Sequence, residues 1–335
     1  MMQPNKTLIT IHDNERLIKE LLKDLVLLPR LKALEWSKIT KQTPNMKIGY
    51  PGQHLASLAL GMEGARTGAR GDDIIDGSEV KSCSRVDQLD TCADCGKKVL
   101  RLESNCSNCN SKNIKRMDDS KWLFTIRSEN DIKILLDDVD RVVLTIADYP
   151  DFSNGNFDDL RFQIFEIWTK SPRCKHFRAL IDNYYHKIYL EHKAKDPKKT
   201  PAPKNFWPFS YQFYMCNPIK ILSCMVKDAN TKPKIDIEYF VEPETDRSKL
   251  AVEPMPTELL SKDEFNLLLD LPQTVLESLV FDNSLIEVMK ELQKTKPDIK
   301  KMKALMPYLS EEARSILPLR DTDKISEAKS QYQRK

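Results

Sequence analysis

Near the N-terminus, Leu17, Ile18, Leu21, Leu22 and Leu25 recur at helical spacing, the pattern of an amphipathic helix. Pro29 is expected to break or kink this run, with Leu31, Leu34 and Trp36 continuing into a second short helix. Gln53 to Leu60 again reads as helix, with Leu55, Leu58 and Ala59 on one side. From Gly71 the pattern changes. Ile74 and Ile75, the turn dipeptide Asp76-Gly77 and the run from Ser78 to Ser82 predict a β-hairpin. Further strands are predicted at Trp122–Arg127, Val142–Ile146, Phe162–Trp168 and Ile235–Val241. The Val142 run is unbroken and apolar, as in a strand buried on both faces. Ile132–Val139 and the face of Phe177, Leu180, Ile181, Tyr184 and Ile188 predict helices. Phe209, Tyr211 and Phe213 alternate as on a strand, and both buried packing and base stacking suit such a row. Beyond Thr257 the chain reads as helical, opening on a capping box from Ser261 to Glu264, and residues past Arg320 are expected to fray.

This order predicts an α/β (α+β) protein, a mixed central sheet flanked by helices. At 335 residues the chain exceeds what one compact core usually fills. It divides into a helical region (1–48), a core (49–190), an aromatic, strand-rich segment (205–255) and a helical region (256–320) that is the expected dimerisation element. The lysine- and proline-rich stretch His192–Lys204 reads as an exposed loop or linker, and no internal repeat occurs. Glycine is concentrated: of 9, all but Gly96 and Gly155 lie between Gly49 and Gly77, where the backbone must turn sharply or approach something closely.

A net charge of +3, from 53 basic and 50 acidic residues, excludes a histone-like polycation but allows a local basic groove. No apolar run is long enough to span a bilayer, and the N-terminus is too polar for a signal peptide. The expected location is the cytoplasm, with the 8 cysteines reduced and available to metal.

Two constellations carry chemistry. Cys92-Ala-Asp-Cys95 and Cys106-Ser-Asn-Cys109 form paired CxxC motifs at the spacing of a closed, structural Zn²⁺ site. The module is either a staple ordering the insertion 90–112 or a finger that touches DNA. Cys83, Cys174, Cys216 and Cys224 lack such spacing and are expected as packed thiols. In the second constellation Glu79 and Lys81 share one face of a strand, and an aspartate across the predicted hairpin reaches that face. Two carboxylates and an amine suit Mg²⁺ and a polarised water.

An aspartate followed by Glu-x-Lys on paired strands resembles the PD-(D/E)XK nuclease superfamily. The longer runs GYPGQHLASL, GARGDDIIDGSEVKSCSRVDQLDTC and SKWLFTIRSE, with both CxxC pairs, are similar to MamI-type restriction endonucleases. The resemblance covers roughly residues 12–130. It implies that Glu79 and Lys81 are the motif's acid and lysine and that Asp73 is the first metal ligand. Asp72 is the alternative, Asp76 lies too near the turn, and the motif's proline is missing. The implied activity is Mg²⁺-dependent, site-specific cleavage of double-stranded DNA to 5′-phosphate and 3′-hydroxyl ends. The implied setting is a homodimer on a palindromic or interrupted site, with a cognate DNA methyltransferase in the same system.

Arg66 and Arg70 are candidate phosphate contacts, and Ser84, Arg85, Asp87 and Gln88 candidates to reach a groove. The lysines of 193–204 either track the DNA backbone or are merely solvated. Two other readings compete: a non-catalytic zinc-ribbon DNA-binding regulator, and a repair or nicking nuclease. An HNH nuclease is disfavoured because none of His12, His54, His176, His186 and His192 lies in the cysteine region. An ATP-driven translocase is disfavoured because no phosphate-binding GxxxxGK[ST] loop occurs.

Overall fold

The structure is a computed structural model that describes residues 2–44, 46–66, 73–279, 287, 290–291 and 298–323. The chain opens with α1 (Asn14–Leu21), a π-helical stretch (Leu22–Leu27) and α2 (Leu28–Thr40) in unbroken succession. The expected break at Pro29 therefore does not occur. Pro29 sits in the first turn of α2, directly after the widened turns, where the missing N–H costs least. Next come α3 (Gly49–Leu60) and β1 (Glu79–Ser84). The cysteine insertion holds β2 (Asp90–Cys92), β3 (Lys98–Val99) and β4 (Ile114–Lys115). After it follow β5 (Trp122–Phe124), α4 (Glu129–Lys133), a π-helical stretch (Ile134–Asp138), β6 (Val142–Asp148) and β7 (Leu160–Ile167). Then come α5 (Lys175–Asn183), a π-helical stretch (Tyr184–Tyr189), α6 (Leu190–Lys195), β8 (Lys204–Phe206), α7 (Tyr211–Met215), β9 (Ile219–Lys227) and β10 (Lys234–Phe240).

The central sheet has the order β1-β6-β7-β9-β10. β1 runs parallel to β6, and the other pairs are antiparallel, so the sheet is mixed as expected. Every residue of β6 is buried, in keeping with its apolar run. The predicted hairpin is only half present. Asp76-Gly77 does turn the chain, with Gly77 at φ +80° and its N–H donating to the Ile74 carbonyl at 2.9 Å. Among the described residues no strand precedes the turn: Ile74 makes a single bridge to Gly64, and β1 pairs with β6 instead. Pairing with β6 joins β1 to the central core, whereas Ile75 stays exposed.

The aromatic alternation is also corrected. Phe209 has φ +56°, Ser210 caps α7 through the Phe213 N–H, and Tyr211 and Phe213 are fully buried. Phe213 stacks on Trp122 with centroids 5.9 Å apart and meets Phe165 edge-on at 5.2 Å. These rings are core, so base stacking is excluded for them. The stretch expected as a loop from His192 is helical to Lys195 and ends in β8, which pairs with β5. The capping box at Ser261 and Glu264 forms as expected and opens a helix, Lys262–Leu269. Asp323 accepts from the Gln212 N–H at 3.1 Å, so the chain is still docked just past Arg320; the rest of the stretch expected to fray, 324–335, lies outside the described residues.

α3 lies against the face of β1 that carries Val80, Ser82 and Ser84. A Cβ at Gly52 would collide with Ser82 Oγ and come within 2.6 Å of Thr145 Oγ1. Gly52→Ala is therefore expected to push α3 off the sheet and lower stability by about 1–3 kcal/mol, measurable by urea denaturation. An unchanged midpoint would mean that this contact is not close.

Candidate active site and cysteine module

β1 is an edge strand. The Glu79 N–H donates to the Arg141 carbonyl at 3.1 Å, so the next N–H along, that of Val80, points away from β6 toward the open edge. There it meets Asp73: Val80 N–H donates to Asp73 Oδ2 at 2.7 Å. The other oxygen, Oδ1, accepts from Gln53 Nε2 of α3 at 2.8 Å. The structure thus brings Asp73 against the strand that carries Glu79 and Lys81, although the expected hairpin partner strand is missing. Asp72 and Arg70 lie outside the described residues. Arg66 is exposed.

The turn that places Asp73 is anchored from below. Arg141, fully buried, donates to Asp76 Oδ2, to Ser78 Oγ at 3.0 Å and to Glu166 Oε1 of β7 at 3.0 Å. Asp76 is thereby committed to holding the turn. Glu166 is held in turn by Arg247 at 3.3 Å and by Trp168 Nε1 at 2.8 Å.

Glu79 and Lys81 share the opposite face of β1 from Val80, and Lys81 Nζ donates to Glu79 Oε1. Glu79 is buried and Lys81 half-buried. They line a cavity of about 100 Å³ roofed by β5 and the α4 region, including Leu123, Ile126 and Leu135. It has room for several waters beside the two side chains. Asp131 also lines this cavity, but its carboxylate accepts from the Arg127 N–H at 2.8 Å at the first turn of α4.

Of the four residues expected to face a groove, Arg85 is interior, and Asp87 borders the groove with its carboxylate buried. Arg85 is fully buried and bonded to Asp118 Oδ2 at 3.3 Å and to the Ser120 carbonyl at 3.2 Å. Asp87 is buried in a two-bond pair with Arg30, at 2.8 and 2.9 Å, and accepts from Tyr149 Oη at 3.0 Å. Ser84 and Gln88 line the same open groove. Gln53, a contact of the candidate site that sequence spacing does not single out, is recognisable only once α3 is packed on β1.

The four cysteines converge. Their sulfurs all lie within 4.8 Å of one another, with Cys92 to Cys109 at 3.6 Å and Cys95 to Cys106 at 3.5 Å. A tetrahedron of Zn–S bonds near 2.3 Å has edges of about 3.8 Å, so the cluster fits Zn²⁺ without rearrangement. Each CxxC closes in the same way. Gly96 at φ +71° and Asn110 at φ +56° return their N–H groups to the carbonyls of Cys92 and Cys106, at 3.0 and 2.8 Å. The Lys97 backbone N–H draws the Cys95 thiol down to about 6, whereas Cys109, despite the Ser111 N–H, is pushed up to about 12 by its contacts with the other three sulfurs.

The module is anchored at its base. Asp90 pairs with Arg101 at 3.1 Å and Arg116 at 2.7 Å, and the Arg101 guanidinium lies 4.9 Å from the ring centroids of both Phe152 and Phe157. The other cysteines are packed thiols as expected. Burial pushes Cys83 and Cys224 up to about 12 and Cys174 up to about 11. No helix among the described residues is long and apolar enough to cross a membrane.

The family profile of the MamI restriction endonuclease matches residues 35–258, more than half of the chain and the whole stretch from α3 to β10. The chain belongs to that family. Within the MamI family, the type II restriction enzyme MamI of Microbacterium ammoniaphilum is 33% identical over 82 residues, which is 24% of this chain and 27% of that relative. The aligned part thus spans about a quarter of the curated relative's length. No solved structure matches the chain at a significant level. Asp73, Glu79, Lys81 and the four clustered cysteines all fall inside the span that matches the family.

Proposed function

We propose that the protein is a site-specific type II restriction endonuclease with a PD-(D/E)XK core, cleaving double-stranded DNA at a palindromic or interrupted palindromic sequence. The observation that carries this reading is the hydrogen bond from Val80 N–H to Asp73, which gathers an aspartate, a glutamate and a lysine at one open strand edge in a chain of this family. The donor set of Asp73 and Glu79 is oxygen-only, the chemistry a hard cation such as Mg²⁺ requires. Both Asp73 oxygens accept a hydrogen bond from the protein, which fixes the carboxylate at the strand edge. When bound, Mg²⁺ supplies positive charge that offsets the charge developing on the phosphodiester.

The chain's own residues do the rest. Gln53 and the Val80 amide fix the Asp73 carboxylate. Lys81, held by Glu79, orients the attacking water and stabilises negative charge as the 3′ oxygen leaves. The products carry 5′ phosphate and 3′ hydroxyl. The four-cysteine module holds structural Zn²⁺. The enzyme acts as a homodimer whose two-fold axis matches that of its site, beside a methyltransferase that protects the host sequence.

Digestion of plasmid or phage DNA tests this. Discrete bands with Mg²⁺ and none with EDTA are expected, and end-sequencing then yields the site and the end chemistry. DNA that is shifted on a gel but never cut would favour a zinc-ribbon binding protein instead. Cutting confined to one strand or to damaged duplexes would favour a repair nuclease.

A further inference from the structure

A groove of about 530 Å³ runs beside the C-terminal half of β1, on the sheet face opposite Glu79 and Lys81. Its walls are Lys47, Gly49 and Tyr50 from the entry to α3, Ser82 and Ser84 from β1, and Gln88 and Ser120 beyond it. Lys47 is exposed, and Tyr50 is 81% exposed at the lip. The one carboxylate along the groove, Asp87, is neutralised by its two-bond pair with Arg30. α3 begins here without a side-chain cap, so its positive end faces the groove.

Lys47 and the helix end make the groove attractive to anions. The Gln88 and Ser120 side chains are bonded within the protein, Gln88 to Ser120 at 2.6 Å and to the Asp119 N–H at 3.1 Å, so they shape the groove while Lys47 and the helix end supply its charge. Position adds the second half of the argument. Ser84 is three residues along the same strand from Lys81, about 10 Å at strand rise. That is about three base steps of duplex DNA.

We infer that this groove is the track for the DNA sugar-phosphate backbone next to the cut. Lys47 contacts a phosphate and Tyr50 packs on the strand at the lip. The inference rests on the endonuclease reading above and adds where the duplex lies. It also replaces Arg85, which is interior, and Asp87, whose carboxylate is taken up by Arg30, with Lys47 and Tyr50 as the residues that meet DNA.

The test uses the full-length, zinc-bound protein and a fluorescent random-sequence duplex in Mg²⁺-free buffer without chelator, with affinity measured against salt. Lys47→Ala is expected to weaken binding on every sequence alike and to reduce the slope of log affinity against log salt by about 0.9, one phosphate contact. Gly49→Glu is the stronger probe. A Cβ at Gly49 meets nothing within 4 Å, and an acidic residue at the first position of a helix favours the fold. Its thermal midpoint should equal or exceed that of wild type while DNA affinity falls about tenfold at low salt. Both variants binding with wild-type affinity and slope would overturn the groove assignment. Plasmid digestion by wild type in parallel separates the two claims. If wild type cuts and both variants bind normally, the groove alone is wrong. If wild type neither binds nor cuts DNA, the endonuclease reading falls with it.

Discussion

Lys81→Ala is expected to abolish cleavage, lowering the rate by on the order of 10³-fold or more, while the protein still folds and still binds duplex DNA. The size follows from where the ammonium sits. Lys81 is half-buried beside Glu79 at the sheet edge, where water is too scarce to replace a positive charge that orients the nucleophile. The alternative is that Glu79 and Lys81 form an ordinary structural ion pair. Removing one partner from such a buried pair costs about 1–3 kcal/mol of stability. The two ideas separate in the double variant Glu79→Gln/Lys81→Met. Neutralising both groups should restore the thermal midpoint under either idea, but cleavage should stay absent if the pair is chemical. Plasmid digestion at matched folded fractions reads this out, and wild-type cutting by either variant would remove the proposed site.

Legibility in the sequence followed how local each feature is. β6 announced itself by an unbroken apolar run, the 261–264 cap by its residues, and the cysteine module by spacing that already implies its geometry. The failures involve partners distant in the chain. Ile74, Asp76-Gly77 and the run after it look like a hairpin because nothing nearby reveals that Glu79 pairs with Val142. Arg85 and Asp87 look like surface charges because their partners, Asp118 and Arg30, lie far away in sequence. Alternating rings at Phe209, Tyr211 and Phe213 fit a strand in a run so aromatic that almost any period finds a match. The cap at Ser210 decides for helix. Asp73 is close to the glutamate and lysine in sequence, so its place beside their strand is legible even without a partner strand. Gln53, which reaches it from another helix, is not.

Loss of the metal from the cysteine module is expected to unfold residues 90–116 while the central sheet persists. The module's own core is Cys92, Val99 and Cys106, with only Cys95 and Ile114 packed against it, too little apolar surface to order a segment of this length. Structural zinc in small modules contributes on the order of 10–16 kcal/mol, so four thiolates around one ion dominate any other local term. Three measurements follow. Purified protein should carry one zinc per chain. Cys106→Ser, which removes a buried ligand, should lose that zinc and become protease-sensitive between Cys92 and Arg116. Acidification should release zinc, because protons compete for the same four thiolates and binding therefore weakens as pH falls. Damage should also spread in one direction. Arg101, which leaves with the module, is the cation packed on Phe152 and Phe157 at the β6–β7 connection, so that connection should loosen next. Native protein free of zinc, with all four thiols open to alkylation and the same resistance to protease, would show that the cluster needs no metal. A closed four-sulfur site leaves no position for substrate, so zinc loss should affect cleavage only through this loosening.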